Sequence, residues 1–105
     1  MSREPKYLYL TTTGRRSGRP RQIEIWFTRH DGRYYLVAEH GRRAQWVQNL
    51  VADPAVSVRV GTRRFRAVAR VVDHRAERAL VAEVRRRSEA KYSWGDGLVV
   101  EIAHP

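Results

Sequence analysis

The chain has 105 residues, enough for one domain but not for a catalytic domain and a separate cofactor domain, so any ligand must sit in or against a single core. Its 42% apolar content and ten aromatic residues suffice for a compact interior, and the absence of cysteine removes disulfides, thiolate catalysis, iron-sulfur ligation and cysteine-rich zinc sites. A formal net charge of +10, from 21 Lys and Arg against 11 Asp and Glu with arginine dominant, points to an anionic partner held through planar guanidinium groups.

The N-terminus is polar and runs straight into a strand. No stretch has the length of a signal h-region or a membrane span, which sets the expectation of a cytoplasmic protein. Residues 6–12 alternate, with Leu8, Leu10 and Thr12 opposed to Tyr7, Tyr9 and Thr11, and predict a first strand. Residues 14–20, with two glycines and a proline, break the pattern as a basic loop. A second strand is expected over 22–28, with Ile23, Ile25 and Phe27 on one face and Glu24 and Trp26 on the other. Asp31-Gly32 then turns the chain into a third strand over 34–38, antiparallel to the second.

A second basic turn spans 40–43, around Gly41. After it, Trp46, Val47, Leu50 and Val51 recur at helical spacing until Asp53-Pro54 stops a short helix. Val56, Val58 and Val60 form one arm of a second hairpin. Phe65, Ala67, Ala69 and Val71 form the other, with Arg64, Arg66 and Arg70 on its outer face. Asp73 is the expected N-cap of a helix reaching about residue 90, with Ala76, Leu80 and Val84 buried. The Arg85 to Arg87 triplet then complements the negative end of that helix rather than marking a nucleic-acid patch. A loop carrying Tyr92 and Trp94 leads to a closing strand over 98–103, with Leu98, Val100 and Ile102 facing one way.

About six strands in hairpin order with two helices describe an α+β antiparallel sheet curling into a barrel, over one domain spanning 1–105. There is no repeat or linker, and neither a P-loop nor a dinucleotide fingerprint. His30, His40, His74 and His104 lack metal-ligand spacing, and no metal is assigned. In the first basic loop, glycines let the backbone turn closely, hydroxyls and amides donate, and four arginines supply charge. A phosphate cradle and a solvated basic hairpin explain that composition equally well.

The run Leu10-Thr11-Thr12-Thr13-Gly14-Arg15-Arg16-Ser17-Gly18-Arg19-Pro20-Arg21 resembles the phosphate-loop signature of the deazaflavin-dependent nitroreductase family. The likeness continues in order through Trp26-Phe27, the segment from Arg33 to Ala38, the Gly41 turn, Trp46 with Asn49-Leu50, Ala52-Asp53-Pro54 and the Val56 strand. The resemblance implies a split β-barrel that binds the deazaflavin F420 and passes hydride to an electron-poor quinone, enone or nitro compound. FMN is the alternative cofactor, and a non-catalytic cofactor-binding or nucleic-acid-binding module is the alternative role. It further implies that Arg15, Arg16, Ser17, Gly18 and Arg21 hold the cofactor's phosphate and acidic tail. Trp26 would lie beside its ring, Ala38, Glu39, His40 and Gly41 would line the ring, and Trp46 and Asn49 would border the pocket.

By the same resemblance Tyr92 and Trp94 shape the substrate side, and His40 or Tyr92 is the candidate proton donor beside solvent. Trp46 also suits a core position, whereas Trp26, opposite the Ile23, Ile25 and Phe27 face, is the preferred ring contact. Two places depart from the family pattern. Glu39-His40 stand where a small or hydroxyl residue and a basic one are expected, and Glu24 where an apolar residue or proline is usual. Nucleic acid as partner would require a continuous stripe through Arg64, Arg66 and Arg70, and is disfavoured. A homodimer covering the open side of the barrel is expected.

Overall fold

The computed structural model describes residues 4–105. Its elements in chain order are β1 (Tyr7–Thr13), β2 (Pro20–Trp26), β3 (Thr28–His30), β4 (Arg33–Ala38), a 3-10 turn (Gly41–Arg43), α1 (Gln45–Ala52), β5 (Ala55–Val60), β6 (Arg63–Val71), α2 (Arg78–Tyr92) and β7 (Leu98–Ala103). The strands form one antiparallel sheet in the order β2-β1-β5-β6-β7-β4-β3. Sequence neighbours β2 and β3 thus lie at opposite edges. The chain joining them draws the edges together, β2 meets β4 across the gap, and the sheet curls into a half-barrel.

There are seven strands rather than six. The expected strand over 22–28 is two, because the chain leaves one edge and joins the other at Phe27. Alternation cannot show this break, since Ile23, Ile25 and Phe27 keep the same facing through it. The backbone records it instead. The Phe27 N–H donates to the Tyr92 hydroxyl at 3.0 Å and the Phe27 carbonyl accepts from Lys91 Nζ at 3.0 Å, so the end of α2 replaces a missing strand partner. Only β3 therefore pairs with β4, through the Asp31-Gly32 turn, whose two residues have φ of 53° and 75° as a tight hairpin of right-handed twist requires.

The inner face is filled by the expected alternating residues, among them Leu8, Leu10, Leu36, Val58, Ala67, Val100 and Ile102. Each fully buried leucine contributes about 1.5–3 kcal/mol through area removed from water. α1 closes this core against β1 and β6, burying Val47 and Leu50. Val51, expected on the same stripe, is 60% exposed.

A second core lies on the other side of the sheet, where α2 covers β3 and β4 and Val81 and Val84 pack with Tyr35, Val72 and Val99. α2 starts at Arg78, later than expected. Asp73 does cap, but it caps a turn, its Oδ1 accepting from the N–H groups of Arg75 and Ala76 at 2.9 and 3.1 Å. Ala76 consequently lies in that turn, exposed, and the buried stripe is Val81, Val84 and Ser88. The arginine triplet is structural by contacts of its own rather than through the helix end. Arg86 and Arg87 share Glu83, and Arg85 donates to the Gly97 carbonyl at 2.9 Å.

Candidate functional site

The loop between β1 and β2 folds back tightly. Gly14 N–H donates to the Arg19 carbonyl at 2.8 Å, Gly18 N–H to the Gly14 carbonyl at 2.8 Å, and Arg19 N–H to Ser17 Oγ at 3.2 Å. A Cβ on Gly14 would stand 2.7 Å from Ser17 Oγ and 3.2 Å from the Arg19 carbonyl, so the loop closes this far only around a glycine. Asn49 of α1 ties the loop to the barrel. Buried to 5% exposure, it accepts at Oδ1 from the Arg15 N–H (3.2 Å) and from Arg15 Nη1 (2.9 Å), and donates from Nδ2 to Thr12 Oγ1 at 3.3 Å.

Between loop and α1 lies a concavity of about 360 Å³ that brings together Arg15, Arg16, Ser17, Arg21, Trp46 and Asn49. Thr12, Gly14, Ile23 and Gln45 complete its wall. Sequence reasoning had not placed these four in the site, although Thr12 and Gly14 stood inside the loop motif. Trp46 is both things expected of it, packed against the core and facing the cavity. Gly18 sits at the loop's tip, where φ is 69°, outside the wall.

The loop carries its charge unpaired. Among the described residues no carboxylate lies within ion-pair distance of Arg15, Arg16, Arg19 or Arg21. Arg70, Arg86 and Arg87 are by contrast neutralised by Glu77, Glu101 and Glu83. The stripe through Arg64, Arg66 and Arg70 is therefore interrupted, with Arg70 bound to two carboxylates.

Two residues along β2 from Ile23, a second concavity of about 490 Å³ is lined by Tyr7, Glu24, Ile25, Trp26, Glu39 and Trp94. Trp26, 38% exposed, stacks on Tyr92 with ring centroids 4.5 Å apart and planes within 3°. The Tyr92 hydroxyl is occupied. It accepts from Phe27 N–H and donates between the carbonyls of Lys6 at 2.7 Å and Phe27 at 2.8 Å, which fixes the ring as a platform under Trp26. Ala38 is buried just behind Glu39, and Gly97 presses on its carbonyl, where an added Cβ would come within 2.5 Å. Gly97→Ala is expected to cost about 1–3 kcal/mol, since only backbone movement relieves such overpacking. An unchanged thermal midpoint would refute the contact.

His40 and Gly41 flank this second concavity without lining it. His40 is exposed, with Nε2 4.0 Å from Glu39 Oε2, and Gly41 opens the 3-10 turn at φ 59°. Tyr7, Glu24 and Ile25 were missed by sequence, since Tyr7 and Glu24 lie on the outward face of β1 and β2 and read as solvated, while Ile25 reads as core. Among the described residues no group of three His, Asp or Glu could hold a metal, and no helix is long and apolar enough to cross a membrane.

The F420H(2)-dependent quinone reductase family model matches residues 1–97. The chain belongs to this family. Within it, the F420H(2)-dependent quinone reductase of Mycobacterium tuberculosis strain H37Rv is 37% identical over 71 residues, which is 65% of this chain and 48% of that protein. The chain thus spans about half the length of the curated quinone reductases it matches. Among solved structures, the F420-H2 dependent reductase FDR-A superposes with TM-score 0.65 at 24% identity, covering 94% of both chains. The conserved protein Rv2991 of Mycobacterium tuberculosis gives 0.76 at 21% identity, covering 94% of this chain and 72% of that one. HutZ, the heme storage protein of Vibrio cholerae, gives 0.72 at 21%, covering 97% and 83%. These structures share the fold of this quinone reductase family member, an α+β half-barrel.

Proposed function

We propose that the chain is an F420H2-dependent reductase, a single split-barrel unit that binds the deazaflavin along the free edge of β2 and directs hydride to an electron-poor small molecule in the cytoplasm. The observation that carries this reading is the convergence of three unneutralised arginines, Arg15, Arg16 and Arg21, on one small cavity, with an aromatic cavity next to it on the same strand. The residues fit such a cofactor. Arg15, Arg16, Ser17 and Arg21 offer charge-assisted donors to its phosphate and acidic tail, and Gly18 gives the loop its tip. Trp26 on its Tyr92 platform supplies a flat wall for the ring, with Trp46 and Asn49 bordering the passage between. Glu39, between buried Ala38 and the flanking His40 and Gly41, would border the ring, and Trp94 would close the substrate side.

The bound deazaflavin supplies the hydride chemistry, and the chain orients it and excludes water from one face. Tyr92 is a positioning residue in this scheme rather than the proton donor, because two backbone carbonyls, those of Lys6 and Phe27, hold its hydroxyl proton. The donor is then His40 or solvent, both at the open rim. A homodimer is part of the proposal. The half-barrel has an open side, and a solved structure described as a domain-swapped dimer shares this fold at TM-score 0.67. Sedimentation equilibrium at micromolar concentration tests it, and a monomer there refutes it.

Parallel titrations with F420 and FMN, followed by tryptophan quenching, test the cofactor. Arg16 forms no hydrogen bond or ion pair among the described residues. Arg16→Ala should therefore leave the fold intact and weaken F420 by about tenfold to a hundredfold, the equivalent of a charge-assisted bond worth about 1.5–3 kcal/mol. Trp26→Ala should weaken F420 as well, through the lost ring wall. FMN binding without F420 binding would move the chain to flavin chemistry, and binding of neither would end the proposal.

A further inference from the structure

The second concavity carries a charge opposite to that of the chain as a whole. In a molecule of net charge +10, its wall holds two carboxylates, Glu24 on β2 and Glu39 just beyond β4, set among the rings of Tyr7, Trp26 and Trp94. Neither carboxylate is neutralised by an arginine. Glu24 Oε2 accepts from the Tyr9 hydroxyl at 2.9 Å, and Glu39 has only the exposed His40 ring, at 4.0 Å. The nearby cations stand outside the wall: Lys6 Nζ lies 5.6 Å from the centre of the Tyr7 ring, and the Arg59 guanidinium stacks 4.0 Å from the centre of the Tyr9 ring, on the strand beyond β1. The groove along β2 therefore runs from an arginine end to a carboxylate end. A flat electron-rich wall beside carboxylates is the chemistry that recognises an organic cation, through ring quadrupole and charge together.

We infer that the substrate side of this site selects a planar organic cation of the iminium or N-alkylpyridinium type as its hydride acceptor. The inference rests on the proposed reductase function and names the substrate class of that site. Its chemistry balances without a further reactant. The donor is the reduced deazaflavin, which gives up a hydride and is oxidised. A C–H bond forms at the electrophilic carbon of the acceptor, the C=N π pair moves onto nitrogen, and the cation becomes a neutral amine. No proton has to be delivered to the product. That matches a cavity in which the Tyr92 hydroxyl is already committed to backbone and His40 lies outside the wall. The carboxylates favour the cation more than the transition state in which its charge fades. They therefore act on capture of the substrate, not on the hydride step, and the neutral product is released from a wall that no longer attracts it.

The test is a calorimetric titration of the chain, without cofactor, with N-methylacridinium and with uncharged acridine in mildly alkaline buffer, in the wild type, Glu24→Gln, Glu39→Gln and the double variant. The readout is the ratio of the two affinities, which cancels any general damage to the pocket. A cation preference of about tenfold that falls toward unity in the double variant, shrinks with added salt and persists in Glu89→Gln, an exposed carboxylate outside this wall, is the expected result. Equal binding of the two ligands, binding of neither, a preference that survives the double variant, or one that Glu89→Gln removes equally well would overturn the inference. Because no cofactor is present, these outcomes are independent of whether Arg16→Ala loses F420. In turnover the double variant should raise KM for the cation while leaving kcat unchanged or higher.

Discussion

Glu101→Ala is expected to lower the unfolding free energy by about 3 kcal/mol, measured by urea denaturation near neutral pH. Glu101 is 8% exposed on the α2 side of β7, where its Oε2 accepts from the Tyr35 hydroxyl at 2.9 Å and its Oε1 from Arg70 Nε at 3.0 Å. Truncation would leave a buried phenol without an acceptor, and Arg70 with Glu77 alone. The figure sits at the low end for a broken buried pair because the Arg70 side chain is nearly half exposed. Glu101→Gln keeps its amide oxygen as acceptor for Arg70 and can donate from its amide nitrogen to the Tyr35 hydroxyl, so it should cost about 1 kcal/mol. A loss below that in the alanine variant would show that the network contributes nothing measurable.

The same residues set the response to acid. Burial pushes Glu101 upward, but the hydrogen bonds from Arg70 and Tyr35 and the arginine charges outweigh it and hold the carboxyl below its ordinary range. Hydrogen bonds from Arg70 hold Glu77 at about 2, and those from Arg86 and Arg87 hold Glu83 at about 2. A carboxyl depressed in the folded state stabilises it fully above the unfolded value of 4.5, and that contribution is lost as pH falls toward 2. His74 moves in the same sense. Burial and Arg85 lower its pKa, and its Nε2 accepts from the Val99 N–H at 3.1 Å, a bond the protonated ring cannot accept. The urea midpoint should therefore begin to fall as pH drops below about 6.5 and fall steeply below about 4.5. A flat profile from neutrality to pH 4 would contradict these contacts.

Most strands were legible because one face of each meets the core and alternation records that directly, as in β1, β5 and β6. What escaped was structure governed by contacts distant in sequence. The strand break at Phe27 depends on Tyr92 and Lys91, sixty-odd residues away, and leaves the period-two pattern untouched. β7 is covered on both sides, by the barrel core and by α2, so Val99 is as buried as Val100 and Glu101 nearly so, and no alternation marks the second face. The register of α2 was misjudged because Asp73 has the chemistry of an N-cap and satisfies turn N–H groups instead. In the site, the arginine loop announced itself through glycines and hydroxyls between charges. Glu24 and Tyr7 did not, because the outward residues of β2 and β1 look like surface until the far end of the sheet returns beside them.

Asn49→Ala should separate what holds the arginine loop from what the loop holds. The amide makes three hydrogen bonds from a position 5% exposed, and its loss strands the Arg15 N–H and guanidinium and the Thr12 hydroxyl, at a cost of about 2–3 kcal/mol. With the loop untethered, affinity for an anionic cofactor should fall even though no charge has been removed. Asn49→Asp is the discriminating partner. Its carboxylate still accepts from Arg15 and can take the Thr12 hydroxyl as donor, so stability should return to within about 1 kcal/mol of the wild type. Yet it neutralises Arg15 inside the cavity, and anion affinity should stay depressed at low salt. If Asp restored both stability and affinity, the charge of Arg15 would be irrelevant to binding and the loop would act through its backbone alone. If it restored neither, Asn49 would be needed for the Nδ2 donor to Thr12, and the tether would run through β1 rather than through Arg15.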